Sequence, residues 1–411
     1  MNEHYDELET RDPEAREASL ADRLPRQIAH AKAQAPAYAS LLKDVDPHSF
    51  TSRAALAGLP VLRKSTLVEE QRATPPFGGL NAIAPGEAGR IFTSPGPIYE
   101  LEARESDYRR MARALYAAGF RAGELLHNSF AYHLTPGGWI MDWGARALGC
   151  AVIAAGTGQS EQQAQAVAQL RPQGYGGTPD FLKVILDKGE ELGLDCSSIV
   201  KGLVSGGALF PSLRQEYAAR GVAVQQCYAI AELGLIAYET PALEGMVVDE
   251  DVLVEIVRPG TGDPVADGEV GEVVVTTFNA AYPMLRLATG DLSAVLPGQS
   301  PCGRTNMRIK GWMGRADQTT KIKGMFVHPA QVAEIVKRHP EIAKARLVVT
   351  RQGESDAMTL HCESGDCSDA LVESIAQSLA SVTKLKGEVK LVAPGELAND
   401  GLVIEDARSY D

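Results

Sequence analysis

The sequence predicts an α/β fold: a large amino-terminal α/β domain with mixed sheets, followed by a small, mobile carboxy-terminal α+β domain. Between about residue 90 and residue 230, short apolar strands alternate with helical segments, which indicates a mostly parallel sheet with helices on its faces. After residue 245 the strands become alternating or continuously apolar, with turn-rich connections between them. The polar, glycine-rich stretch "GWMGRADQTTKIKG" then marks a boundary, so we place the domains at residues 1–313 and 314–411.

The first sixty or so residues are predicted to be helical and amphipathic. Leu20, Leu24, Ile28 and Ala31 recur at helical spacing with charged residues between them. Further along, "SDYRRMARALYAAGF" has helical periodicity, and Ser106 stands where an N-cap is expected.

Two further segments repeat a strand, turn and helix. In "QGYGGTPDFLKVILDKGEELG", Thr178 is expected to be the N-cap, Pro179 the first helical residue and the final glycine the stop. In the next segment we expect strands around Leu203 and Val224, with a helix beginning near Pro211. These units supply the parallel part of the sheet.

Composition narrows the classes of function. The 411 residues are 45% apolar and 23% charged, which is ordinary for a globular protein, and the net charge of −13 argues against a general binder of nucleic acid or of anionic membranes. The charged start of the chain has no apolar signal segment, and no apolar run reaches the ~18 residues that span a bilayer. Six scattered cysteines fit reduced thiols rather than a disulfide framework. We therefore expect a cytoplasmic protein.

Three glycine-containing loops follow predicted strands, at residues 93–97, 176–178 and 205–208. None ends in the Gly-Lys-Ser/Thr of a phosphate-binding Walker loop. Each loop alone is more often a tight turn than a ligand contact. Three of them in one α/β region favour a nucleotide or acyl pocket at the carboxyl edge of the sheet.

Charged residues in apolar or glycine-rich surroundings are the other candidates. Glu232 lies among apolar residues in "QQCYAIAELGLIAYE", where it needs a cation unless it reaches solvent on a helix face. Asp291, after a glycine in "LRLATGDLSAV", suits either a ribose diol or a simple turn cap, and spacing alone favours the cap. The basic residues around Arg315 and Lys323 suit either a hinge that carries positive charge over phosphate or a solvated linker.

Taken in order, these segments resemble the adenylate-forming superfamily, and most closely the phenylacetate–CoA ligases and their aryl–CoA ligase relatives. The resemblance covers nearly the whole chain. It rests on the amino-terminal "YDELETRDPEAREASLADRLPRQIAHAKAQAPAYASLL", on "ALAGLPVLRKSTL", and above all on "YAIAELG", "TGDL" and "GRADQTTKIKGMFVHP" in this order. It implies that ATP and a carboxylate give an acyl-adenylate and pyrophosphate, after which the small domain rotates and coenzyme A displaces AMP.

The resemblance also implies a nucleotide site of loop and strand-end residues. Its expected members are Ser94, Gly96, Ser205, Gly206, Gly207, Gln226, Cys227, Tyr228, Asp291 and Arg315. The acid is expected to contact Tyr132, His133, Ala208 and Ile230, although Tyr132 and His133 also suit ordinary packing beside a glycine turn.

Further roles follow from the same resemblance. Glu232 is expected to help hold Mg²⁺ on the phosphates. Asp317 is the expected hinge, and Lys323 and Gly324 are expected to lie near coenzyme A. The implied ligands are ATP or AMP, Mg²⁺, coenzyme A and a small aromatic carboxylic acid, with no zinc; relatives of this kind are often homodimers.

The chain departs from the family pattern at three positions. The phosphate loop is the short "FTSPGP" without its lysine, and Ala231 replaces a common threonine. Leu402 stands after Gly401, where the family carries the lysine that bridges the carboxylate and the α-phosphate during adenylation. Removing one preorganised donor typically costs about 10²–10³ in rate.

These departures leave two hypotheses open. The first is an aryl- or arylacetate–CoA ligase with weakened adenylation. The second is a non-catalytic protein of the same fold that binds a nucleotide or an acyl-CoA as sensor or carrier. A deliberately introduced Leu402 is a third reading that sequence cannot separate from a natural one.

Overall fold

The structure is a computed structural model that describes residues 3–94, 97–316, 318, 320–322, 325–352, 355–398, 400 and 402–408. The chain forms two compact units. The first unit comprises Met1–Val254, Val275–Leu287 and Leu296–Trp312, and the second unit comprises Glu255–Val274, Ala288–Val295 and Met313–Asp411.

The helices and strands of the described chain have the following bounds. The α-helices are α1 (Pro13–Gln34), α2 (Pro36–Leu41), α3 (Arg53–Leu56), α4 (Leu67–Ala73), α5 (Met111–Ala117), α6 (Gly137–Ala147), α7 (Ser160–Leu170), α8 (Pro179–Glu191), α9 (Pro211–Ala219), α10 (Pro329–Arg338) and α11 (Asp369–Thr383). The β-strands are β1 (Leu62–Arg63), β2 (Arg90–Ser94), β3 (Ile98–Glu102), β4 (Leu125–Asn128), β5 (Ala151–Ala154), β6 (Gly174–Gly177), β7 (Lys201–Val204), β8 (Ala223–Ile230), β9 (Gly234–Tyr238), β10 (Met246–Val248), β11 (Val252–Val257), β12 (Gly271–Thr277), β13 (Leu287–Ser293), β14 (Val295–Leu296), β15 (Arg308–Ile309), β16 (Thr320–Ile322), β17 (Met325–Val327), β18 (Ile342–Gln352), β19 (Ser355–Ser364), β20 (Glu388–Val392) and β21 (Ile404–Asp406). Short 3-10 helices cover Glu7–Thr10, Pro47–Ser49, Lys64–Thr66 and Pro85–Glu87.

A large mixed sheet organises the first unit. Within the first unit, the strands of this sheet lie in the order β15-β10-β9-β8-β7-β6-β4-β5. Strands β4 to β8 pair in parallel, whereas β9 and β10 pair antiparallel with their neighbours. The predicted mostly parallel sheet is confirmed, and the carboxyl ends of β4, β6, β7 and β8 meet at one edge.

The amino-terminal helix forms as its periodicity predicts. Leu20, Leu24, Ile28 and Ala31 are all buried, so the apolar stripe of α1 faces the interior of the first unit. Asp12 caps the helix by accepting hydrogen bonds from the N–H groups of residues 14 and 15 at 2.8 and 3.2 Å.

Helix α5 begins later than predicted, and the expected Ser106 cap is wrong. Asp107 caps it instead, since its carboxylate accepts hydrogen bonds from the first two helical N–H groups at 2.8 and 2.9 Å. Arg110, in the left-handed region with φ 65°, sends its side chain to the carbonyl of Leu235, 3.2 Å away. Anchoring this arginine in the interior keeps the residues before Met111 in a turn.

The other predicted helix starts are confirmed. Helix α8 begins at Pro179 with Thr178 at the N-cap position, and Gly193, with φ 65°, follows its end. Strands β7 and β8 contain Leu203 and Val224, and α9 begins at Pro211. No helix in the described part of the chain combines the length and apolar character needed to cross a bilayer.

The carboxy-terminal part of the second unit is an α+β structure. Its four-stranded sheet has the order β20-β19-β18-β21, with an antiparallel β18–β19 ladder and parallel outer pairs. Its core contains Val332 and Ile335 of α10, Ile375 and Leu379 of α11, and Leu347 of β18. The last strand, β21, therefore joins the sheet alongside β18 rather than closing a terminal hairpin.

A close approach of α5 and α6 in the first unit makes Gly144 sensitive to substitution. A Cβ atom at Gly144 would lie 2.6 Å from the Cβ of Met111 and 2.8 Å from the backbone nitrogen of Ala112. We expect Gly144→Ala to lower the free energy of unfolding by about 1–3 kcal/mol, because overpacking outweighs the gain in helix propensity. Urea denaturation of the variant and the parent chain measures this difference in the free energy of unfolding.

The matched control is Gly86→Ala, where a Cβ would have no neighbour within 4 Å. Its midpoint should stay close to that of the parent chain. Equal stability of the Gly144 and Gly86 variants would contradict the packing described for α5 and α6.

Candidate active site

A cavity of about 220 Å³ lies at the carboxyl edge of the sheet in the first unit. Phe130 follows β4, Ser205 and Gly206 follow β7, and Ile230 ends β8, so neighbouring strand ends supply its walls. The full lining is Ser94, Met111, Phe130, Thr135, Pro136, Gly137, Ile140, Met141, Ser205, Gly206, Ala229, Ile230 and Ala231. Most of these side chains are apolar, which suits a flat apolar group.

A buried ion pair lies next to the cavity wall. The side chain of Glu232 is fully buried, and the ammonium nitrogen of Lys64 lies 2.9 Å from Oε1 and donates a hydrogen bond to Oε2 at 3.0 Å. Lys64 itself keeps 26% of its side chain exposed. Burial excludes the alternative in which Glu232 simply reaches solvent, and Lys64 supplies a cation that sequence reasoning had not assigned.

A second carboxyl group, Glu100, faces the same region. The hairpin of β2 and β3 pairs Ser94 with Ile98, and Ser94 Oγ donates a hydrogen bond to Glu100 Oε1 at 2.5 Å. Burial and, second, the negative charge of Glu232 raise the pKa of Glu100 to about 7, against the opposing effects of Ser94 and nearby cations. A buried acid of this kind belongs beside a ligand or another charge.

Two arginines bind groups adjacent to these acids. Arg109 donates to the carbonyl oxygens of Ala231 and Leu101 and places its Nε 3.9 Å from a carboxylate oxygen of Glu102. Arg90 pairs with Glu102 at 2.9 Å. The chain segment that leads to Glu232 is therefore fixed by a buried guanidinium group.

The residues present fit a divalent cation. Glu232 Oε1 and Glu100 Oε2 are buried and receive no hydrogen bond from the described residues. Mg²⁺ prefers carboxylate oxygens and keeps open positions for water or phosphate. No group of three or more His, Cys, Asp or Glu side chains converges within the described residues, so other ligands would have to complete the coordination.

Several predicted nucleotide residues shape the strand ends rather than face the cavity. The amide N–H of Gln226 donates to Glu239 at 2.7 Å, and its side-chain oxygen accepts from the backbone of Leu209 at 3.0 Å. Cys227 is buried, with its sulfur 3.9 Å from that of Met111, and burial raises its pKa to about 12. Its carbonyl oxygen accepts a 2.9 Å hydrogen bond from Ser205 Oγ, which fixes the loop after β7.

The remaining candidates in this loop and strand differ in exposure. Tyr228 is buried, whereas Gly207 and Ala208 are exposed. Gly206, with φ 73°, allows the turn that brings the loop to the cavity wall.

The structure places only some of the predicted acid-binding residues at the cavity. Ile230 lines the cavity, whereas the Tyr132 hydroxyl accepts from Asn128 at 2.7 Å and donates to Asp142 at 3.2 Å. His133 is exposed. The aromatic residue in the wall is Phe130, two residues after β4, which sequence reasoning missed because it assigned no strand there.

Two nucleotide candidates meet inside the second unit. Arg315 Nη1 lies 2.8 Å from Asp291 Oδ1, and the two residues also form a β-bridge. Gly290, with φ 78°, makes room for the arginine, since a Cβ there would lie 2.8 Å from Arg315 Nη2. The carboxylate is 9% exposed and the guanidinium 53% exposed, so both present polar atoms at the surface of this unit.

Leu402 occupies an ordered position in the second unit. Its N–H donates to Asp400 Oδ1 at 3.0 Å and its carbonyl oxygen accepts from Arg346 Nε at 3.1 Å. Gln318 Oε1 accepts the N–H of Ile404 at 2.7 Å, which ties the following strand to the segment after residue 316. The predicted residues Gly96, Asp317, Lys323 and Gly324 lie outside the described residues.

Comparison with known proteins decides the family. Residues 109–281 match the AMP-binding enzyme family, and residues 324–402 match the AMP-binding enzyme C-terminal domain. A phenylacetate-coenzyme A ligase of Thermus thermophilus is 30% identical over 405 residues, covering 94% of this chain and 89% of that protein. The chain belongs to the phenylacetate–CoA ligase family. One from Aromatoleum evansii is 31% identical over 360 residues, covering 83% of this chain and 80% of that one.

A solved structure supports the same assignment of fold. A 2-hydroxyisobutyryl-CoA ligase, in complex with its acyl-adenylate and CoA, is 25% identical with a TM-score of 0.72 and covers 99% of this chain and 93% of its own. The predicted family, the adenylate-forming fold and the class of AMP-forming acid–CoA ligase are thus confirmed.

The elevated pKa of Glu100 gives this ligase a testable pH dependence. The unfolded chain releases the Glu100 proton near the ordinary value of 4.5, whereas the folded chain holds it up to about 7. Stability contributed by this group is therefore present at low pH and lost as pH rises through that window. Relative to the parent, Glu100→Gln should gain about 2–3 kcal/mol between pH 4.5 and pH 8.

Urea denaturation in EDTA across this pH range measures the difference. The exposed Glu105→Gln serves as the matched control and should follow the parent curve. Parallel curves for the parent chain and Glu100→Gln would contradict a protonated, buried Glu100.

Proposed function

We propose that the protein is an ATP-dependent aryl- or arylacetate–CoA ligase that acts on a small, phenylacetate-like aromatic acid. In the first step a carboxylate oxygen attacks the α-phosphorus of ATP and pyrophosphate leaves. In the second step the thiol of coenzyme A attacks the acyl carbon and AMP leaves. The apolar cavity at the carboxyl edge of the sheet is the observation that carries the choice of acid.

The cavity favours a flat ring over a long chain. Phe130, Ile140 and Met141 provide apolar surface, while Ser205 and Gly206 bring polar backbone and hydroxyl groups to one side. A volume of about 220 Å³ is at the small end for ligand sites, which suits a single aromatic ring. The phenylacetate-coenzyme A ligase relatives support the same substrate class.

The polar residues have separate proposed roles in binding the metal ion and the nucleotide. Glu232 would hold Mg²⁺, which when bound neutralises phosphate charge. Asp291 would accept hydrogen bonds from the ribose hydroxyls, and Arg315, already paired with it at 2.8 Å, would support the nucleotide. Asp317 as hinge and Lys323 with Gly324 at coenzyme A remain predictions from the sequence.

The proposed cellular location is the cytoplasm, and this part of the proposal rests on the sequence. All six cysteines are free, in keeping with a reducing cytoplasm. A homodimer remains a prediction from the family resemblance.

The adenylation step is expected to be the weak one. Leu402 has no group that can donate a hydrogen bond to the developing charge. The phosphate-loop segment is the short "FTSPGP" without its lysine, and the flanking strands pair as far as Ser94 with Ile98. Thioester formation uses neither feature in this account.

A non-catalytic binder of nucleotide or acyl-CoA is the second candidate, and the same two features favour it. Glu232, Asp291 and Arg315 favour the ligase instead, because a pure binder has little use for a buried cation site or for a paired ribose and phosphate contact. Turnover by the unmodified chain would eliminate the binder.

The decisive variant is Leu402→Lys. We expect it to raise the rate of AMP and thioester formation by about 10²–10³ with ATP, Mg²⁺, coenzyme A and the preferred member of a panel of aromatic acids. The gain comes from restoring a cation beside the carboxylate and the α-phosphate. Chromatography of AMP and of the thioester measures both products.

Leu402→Met is the matched control, because it keeps size and apolar character and should leave the rate unchanged. Calorimetry with ATP, AMP and coenzyme A accompanies each assay. If neither the parent nor Leu402→Lys forms product and neither binds nucleotide, the ligase proposal is wrong.

A further inference from the structure

The β2–β3 hairpin brings an acid to the place where this family carries a phosphate loop. Its strands pair from Arg90 with Glu102 to Ser94 with Ile98, so residues 95–97 connect them. Alternation along β3 puts Ile98, Glu100 and Glu102 on one face, and all three are at most 3% exposed. Strand alternation and hairpin register therefore place Glu100 in the interior.

Two buried acids lie at this place, and Lys64 pairs only with Glu232. Its ammonium donates to Oε2 of Glu232 and lies 2.9 Å from Oε1, whereas the Arg109 side chain is directed to carbonyl oxygens and to Glu102. Glu232 Oε1 and Glu100 Oε2 are buried acceptors without a hydrogen-bond donor in the described part of the chain. Leaving such acceptors unsatisfied is costly, and a cation shared by both would satisfy them.

We propose that Glu100 and Glu232 together form a divalent cation site that is occupied before the nucleotide binds. Both ligands are carboxylates, so the site would select a hard cation such as Mg²⁺ or Mn²⁺ over zinc, which prefers sulfur and nitrogen. Water or phosphate oxygens would fill the remaining positions. The inference deepens the proposed function and rests on it for the identity of the cation as Mg²⁺.

A preloaded cation would offset the shortened loop. The loop has lost its usual lysine, and Leu402 removes another positive group. A divalent cation held by two protein carboxylates instead of one supplies positive charge to the phosphates without either lysine. Glu100 would then be the second protein ligand of the cation.

Binding of Mn²⁺ to the full chain tests this, without ATP, acid or coenzyme A. Electron paramagnetic resonance of free Mn²⁺ should show one bound ion per chain, displaced by Mg²⁺. Glu100→Gln and Glu232→Gln should each raise the Kd at least about 10-fold, because each removes one of two charged ligands. Glu105→Gln, an exposed carboxylate of the same segment, should leave it unchanged.

A third variant guards against loss of folding. Lys64→Gln removes the ammonium that competes for Glu232, so it should lower the Kd for Mn²⁺, which a damaged fold would not do. Circular dichroism checks each variant. A parent chain that binds no Mn²⁺, or a Glu100→Gln variant that binds it as tightly as the parent, would overturn the site.

The outcome is separable from that of the ligase assay. If the chain turns over an aromatic acid but binds no Mn²⁺ in the absence of nucleotide, the cation site is wrong and the proposed function stands. Mn²⁺ binding that depends on Glu100, in a chain that neither binds nor turns over ATP, would support the site and contradict the ligase.

Discussion

The charge of one fully buried carboxylate, Glu232, constrains the structure around it. Burying a carboxylate costs several kcal/mol unless a cation and hydrogen bonds compensate. Lys64, 2.9 Å away, provides the cation, and the guanidinium of Arg109 fixes the preceding carbonyl of Ala231. Groups that interact with this carboxylate or fix its position lie on the β2–β3 hairpin, in the turn before α5 and at the end of β8. Glu100 adds a second acid to the same place.

The apolar cavity and this polar cluster share a boundary, and that boundary is where the chemistry belongs. Ser94 lines the cavity and donates to Glu100, while Ala231 lines it and directly precedes Glu232. Under the proposed function, an aromatic ring in the cavity would point its carboxylate toward Glu232 and Lys64. The arrangement couples the choice of acid to its activation without requiring any further group in the cavity wall.

Much of this was predictable, and the exceptions have physical causes. Periodicity and cap residues were sufficient for α1, α8, α9 and the parallel strands β6, β7 and β8, because local preferences agree with burial there. The start of α5 was missed because a long-range anchor of Arg110 overrides a plausible serine cap. Glu232 was found from its apolar neighbours, but its partner Lys64 lies 168 positions away, and Glu100 became interior only through hairpin register. Such non-local contacts leave little local signal in a single sequence.

The central claim is that adenylation, and not thioester formation, limits this ligase. Measuring the two half-reactions separately in the unmodified chain tests it most directly: ATP–pyrophosphate exchange for the first, and thioester formation from a supplied aryl-adenylate and coenzyme A for the second. We expect the second half-reaction to run at least about 10²-fold faster than the first, because adenylation has lost one preorganised donor. Equal rates, or a supplied adenylate that coenzyme A cannot attack on this protein, would contradict it.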